Sequence, residues 1–213
     1  MRATLVLALL VGLIGSGAAL AGRGDPQERI TPADQARARS ILVRAADMNA
    51  AFTAIPTADN RNELYCAALD ESDLTVTGRA SSPSFTAAAE FVASRAYVYE
   101  SRADASASWR RGTSTAGQSC LRQAMRTELR GTAVRLVSFE KIAFPKVAGR
   151  SVAYRIVASR EGIRLYLDLI ALQQGRAQVS IVYGTALTPP PTSEEVRLAK
   201  VVAQRMARAM RGA

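Results

Sequence analysis

The chain has 213 residues, with 28 Lys and Arg against 18 Asp and Glu, a formal net charge of +10, and no histidine. Without histidine it can build neither a Ser-His-Asp nor a Cys-His arrangement, and it lacks the usual nitrogen ligand for zinc or copper. Lysine occurs only at Lys141, Lys146 and Lys200, so arginine carries the charge; beside abundant alanine this reads as GC-rich codon usage rather than as selection for one partner.

The opening residues combine Arg2, an apolar run from Leu5 to Ile14, and the small-residue spacing Ala19-Leu20-Ala21. This predicts a secretory signal peptide over 1–21, cleaved after about Ala21, with retention as an uncleaved anchor as the second reading. No cysteine stands near Ala21 to accept a lipid, and no later run approaches the roughly 18 apolar residues of a spanning helix. The expected mature protein is secreted or extracytoplasmic and has no transmembrane helix. There a basic surface meets anionic lipid headgroups and wall polymers, so no nucleic acid is expected as partner. After a polar stub at 22–30, residues 31–213 are long enough for a single domain with a sizeable core.

Thr31 as N-cap, Pro32 at the first helical position and Asp34 in the first turn predict a helix whose core stripe is Ala38, Ile41, Leu42, Ala45 and Met48. The segment from Ala51 to Asp73 reads as irregular. Its acidic run, Asp70, Glu71 and Asp73, lacks the alternating ligands of a calcium loop and reads as a solvated turn. Strands are expected from Leu74 and from Phe91, separated by a turn at Ser81-Ser82-Pro83-Ser84-Phe85. One or two helices follow between Ser101 and Arg130, interrupted near Gly112 and stopped by Gly131, with Trp109 as a core anchor. A further strand is expected from Ala133.

Cys66 and Cys120 are an even pair in a chain that leaves the reducing cytosol, so a disulfide is the expectation. In the chain-entropy picture a loop of that length is worth roughly 4 kcal/mol. A redox or nucleophilic role finds no CxxC spacing and no histidine to activate a thiolate.

The segment Val152 to Gly184 supplies three strands, with two-residue loops expected at Glu161-Gly162 and Gln174-Gly175. Counting back from those loops pairs Arg155 with Asp168 and Val157 with Tyr166, and then Asp168 with Ile181 and Ile170 with Val179. Both faces of this meander are apolar, so helices must cover both. Asp168 then has two readings. It is half of a cross-strand ion pair with Arg155 that fixes architecture, or the pair forms with Tyr166 and Tyr183 the polar floor of a ligand cleft.

Thr192 with Glu195 three residues on reads as a capping box after three prolines. The helix it opens carries Leu198, Ala199, Val202, Met206, Ala209 and Met210 on one arc, and Arg197, Lys200, Gln204, Arg208 and Arg211 on the other. Docking on a sheet with a solvated basic face is the expectation, rather than membrane insertion.

The order of elements is helix, two strands, helical segment, four strands and helix, with YLDLIALQQGRAQVSIVYG leading to EEVRLAKVVAQRMARAM. It resembles small exported actinobacterial domains of PsbP-like fold, including LpqN-type lipoproteins and the extracellular sensor domains of mycobacterial serine/threonine kinases. The resemblance implies an α+β sandwich, an antiparallel sheet of about six strands covered by N-terminal, central and C-terminal helices, used as a ligand- or partner-binding module without a catalytic site. The expected function is an exported, non-enzymatic binding or sensor-like module of the cell envelope, with no cofactor and no metal. Its partner is a small amphipathic ligand or an envelope component. The alternative is a scaffold that binds anionic envelope surfaces through Arg197, Lys200, Arg208 and Arg211.

Overall fold

The computed structural model describes residues 24–56 and 66–211, so the signal sequence expected over 1–21 lies outside the described residues. Four α-helices and nine strands follow one another as β1 (Gln27–Glu28), α1 (Pro32–Ser40), β2 (Thr53–Ile55), β3 (Thr75–Ser81), β4 (Ser84–Ala87), β5 (Glu90–Tyr99), α2 (Arg102–Thr113), α3 (Thr115–Glu128), β6 (Val134–Ile142), β7 (Arg150–Arg160), β8 (Ile163–Gln174), β9 (Ala177–Ala186) and α4 (Thr192–Ala209). The class is α+β. The sheet is larger than the six strands expected, and it is mixed: its order is β1-β3-β5-β9-β8-β7-β6, with β1 parallel to β3, and β2 and β4 attached at the side of β5. The three missed strands are two to four residues long. Strands that short leave no alternation to read.

Both faces of the sheet are covered. On one, Ile170 and Leu172 of β8 and Val179 and Ile181 of β9 meet Ala38 of α1, Ile41 and Leu42 just beyond it, and Leu198, Val202 and Met206 of α4. On the other, Tyr154, Ile156, Leu165 and Leu167 meet Trp109 of α2 and Leu121 and Met125 of α3. A polar strand pattern could not survive between two such layers, which is why β7 and β8 read as nearly continuous apolar runs.

Local expectations hold with corrections at the ends of elements. Thr31 caps α1, its hydroxyl accepting from the Asp34 amide, but the helix stops at Ser40 and the chain reaches Met48 through a 3-10 turn at Ala45–Asp47. The break between α2 and α3 falls at Ser114, which caps α3, and not at Gly112. Gly131 does follow α3 with a φ of 78°.

The first hairpin has the expected register, Arg155 opposite Asp168 and Val157 opposite Tyr166. Glu161 and Gly162 both have positive φ, the signature of a type I′ turn. The second hairpin is displaced by two residues from the expected pairing: Asp168 lies opposite Tyr183, and Ile170 opposite Ile181. Gly175 occupies the first loop position, with Gln174 still paired to Ala177, so the loop is Gly175-Arg176. Glycine leads a type II′ turn and ends a type I′ turn, and the sequence count assumed the latter. A slip of two preserves which face each side chain occupies.

Candidate functional site

Asp168 sits at the middle of β8 and is 0% exposed. Arg155, directly across on β7, donates from Nε to Oδ1 at 2.8 Å and from Nη2 to Oδ2. The guanidinium is held in its charged form by that hydrogen-bonded carboxylate. Its side chain keeps 23% exposure, so this is where the cluster meets solvent. Tyr183 on β9 is the other cross-strand neighbour of Asp168, and its hydroxyl donates to Glu90 Oε2 at 2.6 Å. Burial, and then the Glu90 acceptor, push the Tyr183 hydroxyl well above the usual phenol range. Tyr166 is buried two residues along β8 from Asp168. The four residues expected at this place are therefore brought together.

A fifth residue, absent from the sequence reading, completes the cluster. Glu195 in the first turn of α4 is 0% exposed, and neither carboxyl oxygen meets a hydrogen-bond donor elsewhere in the described protein. Its neighbour within hydrogen-bonding range is another acid, Asp168. Burial first, and the Asp168 carboxyl second, raise Glu195 from 4.5 to about 8. At neutral pH it is thus a carboxylic acid whose proton can be donated to Asp168. The capping box expected of Thr192 and Glu195 does not form: the helix begins at Thr192 itself, after Pro191 as N-cap, with no side-chain cap. Glu195 thereby lies one position deeper than a capping residue, on the stripe of Leu198, Ala199, Val202 and Met206. A carboxylate in phase with an apolar stripe was the signal available in the sequence.

Chemically, the cluster sets one guanidinium against two buried carboxyls, with two tyrosines at its border. It can read charge and exchange a proton.

Other polar groups are answered locally. Asp34 of α1 is buried with Arg176, Arg37 and Thr77 as partners. Asp47 is gripped by Arg205 of α4, an arginine the sequence reading passed over, through two hydrogen bonds of 2.6 Å each. The acidic run at Asp70 is more than a solvated turn. Asp73 takes a two-pronged contact from Arg111, while Glu71 turns inward to the Tyr99 hydroxyl at 3.1 Å and is raised by burial. Among the described residues no three His, Cys, Asp or Glu side chains assemble into a metal site.

Cys66 and Cys120 form a disulfide that ties the start of a 3-10 turn to α3. Arg197, Lys200 and Arg208 on α4, and Arg211 just past its end, are exposed, though Arg197 is engaged with Glu194 and with the Asp47 carbonyl. Among the described residues no helix is long and apolar enough to cross a membrane. No protein-family model matches the chain, and neither does any curated protein.

Proposed function

We propose that this chain is an exported, non-enzymatic binding or sensor-like module of the bacterial cell envelope, with a PsbP-like sandwich, which holds a small amphipathic ligand between α4 and the sheet. The observation that carries this reading is Glu195: a carboxyl fully buried among apolar side chains, with oxygens that no protein donor answers except through a shared proton. Buried polar groups are satisfied in the great majority of folds, and an unanswered one marks a place for a ligand group or an ordered water. Arg155 adds a charge at the border of the same cluster, and Ile170 and Ile181 supply apolar walls. Such a mixture suits a ligand with one polar head and an apolar body. The disulfide supports export, since paired cysteines persist outside the reducing cytosol.

Native mass spectrometry on protein purified without detergent from its own culture fluid or envelope tests the reading. An added mass that disappears on denaturation is the expected result. A bare chain under both conditions overturns it.

A second reading rests on a different observation. Lys200 and Arg208 of α4, and Arg211 just beyond it, are exposed on the same layer as Arg39 and Arg44, which suits a scaffold that docks on anionic envelope surfaces. That reading expects binding to phosphatidylglycerol vesicles, collapsing as ionic strength passes about 0.15 M, where the screening length falls to about 8 Å.

A further inference from the structure

The Glu195 cluster holds two buried carboxyls and one guanidinium, and Arg155 turns its Nε and Nη2 to Asp168. Two carboxylates in contact away from water cannot both stay ionised when a single cation faces them, so the pair must keep a proton. The two acids belong to different layers. Asp168 is fixed in the central part of the sheet, whereas Glu195 rides on the first turn of α4, whose remaining grip on the sheet is the apolar stripe from Leu198 to Met210.

We propose that Glu195 and Asp168 share one proton that latches the first turn of α4 to the sheet, and that losing this proton at alkaline pH loosens the helix and opens the site beneath it. As a control on ligand entry the latch rests on the binding reading above; as a property of the fold it stands without it.

Among the described residues, the charged and titratable groups around the proton come from the sheet and from α4. From the sheet come Asp168 and Tyr166 of β8, Arg155 of β7, Tyr183 of β9 and Glu90 of β5; from α4 itself come Glu194 and Arg197, and Arg197 reaches away to the Asp47 carbonyl. None of the neighbours brings a second cation that could take over from Arg155, because Arg197 is committed to Glu194. The chain has no histidine and its two cysteines are disulfide-bonded, so the side chains that ordinarily titrate between pH 6 and 9 do not compete. A carboxyl pair has become the means by which a histidine-free protein responds to pH in that range.

Amide hydrogen exchange between pH 6 and 10, expressed as protection factors so that intrinsic rates cancel, tests the latch on the whole chain. Protection from Leu198 to Met206 is expected to fall about tenfold per pH unit up to about pH 8 and then level off, as linkage of one proton to opening requires. Protection in α1 is the internal control and stays constant. In Glu195→Gln, which keeps a donor for Asp168 but cannot ionise, the fall disappears. PH-independent protection of α4 in the natural chain overturns the latch, with no variant needed. That outcome leaves the binding reading untouched, just as a bare chain in native mass spectrometry leaves the latch untouched.

Discussion

Two helices land on the same face of the same sheet, and each buries an acid from its first turn, yet the two acids are held in opposite ways. Asp34 of α1 is met by Arg176 across the layer, by Arg37 one turn on, and by the Thr77 hydroxyl of β3. Burial pushes its carboxyl up, but Arg176, Thr77 and Arg37 together outweigh burial and hold it at about 2. Glu195 of α4 is met by a second acid and stands at about 8. The helix approach differs as well: α1 comes so close to β3 that a side chain at Gly78 would sit 2.2 Å from the Asp34 carbonyl oxygen. One docking is an ion-pair network on tight backbone contact; the other meets the sheet with an apolar stripe and a proton at its end, its ion pair with Asp47 lying off the sheet. The lesson is that desolvation alone does not decide the state of a buried acid; the charge of what it is buried against does.

The contrast predicts opposite pH limbs. Glu195 has its folded value raised, so the folded state binds a proton that the unfolded state has lost. Its stabilisation is complete below 4.5 and drains away as pH rises to about 8, at about 1.4 kcal/mol per pH unit. This is the largest effect expected, and it appears as the difference in denaturation midpoint between the natural chain and Glu195→Gln across that interval. A difference that does not change with pH would make Glu195 an ordinary buried acid.

Removing the cation comes next. Arg155→Leu leaves Asp168 and Glu195 facing each other without compensation, at a cost near the lower end of the roughly 3 to 5 kcal/mol typical of a broken buried pair. The partial exposure of Arg155 places it there. Urea denaturation at pH 7 measures it, and Arg155→Lys, which keeps a cation opposite Asp168, should recover part of the loss. An equal loss in both variants would show that the charge of Arg155 contributes nothing beyond its packing.

The smallest effect belongs to the other helix. Asp34 has its folded value depressed, so its contribution is present above 3.8 and is lost as pH falls to about 2, amounting to about 2 kcal/mol. Asp34→Asn should remove that acid limb and leave the alkaline one in place. Loss of both limbs would mean that the two dockings are coupled.

How much of this was visible in the residues depends on where each signal lives. The Arg155 and Asp168 pairing was legible because Glu161-Gly162 is a type I′ loop with glycine last, and counting from it is local. The second hairpin was counted from the wrong loop position because glycine serves either place, in different turn types. The disulfide and the apolar stripe of α4 were legible from composition and period. Glu195 carries two signals that compete, since its phase with Leu198, Ala199 and Val202 points inward while its place three residues after a threonine satisfies a capping pattern; the helix starts one residue earlier than that pattern assumes. The distant partners of Asp34 and Asp47, Arg176 and Arg205, lie 142 and 158 residues away in the chain, beyond any local pattern.

The most direct measurement is a carbon-13 NMR titration of the glutamate carboxyls in the natural chain, with the Glu195 signal assigned by its absence in Glu195→Gln. A midpoint near 8, with a matching perturbation of the Asp168 carboxyl, is the result expected of a shared proton. A Glu195 midpoint near the ordinary 4.5 would contradict it and leave the apolar stripe as what holds α4 to the sheet.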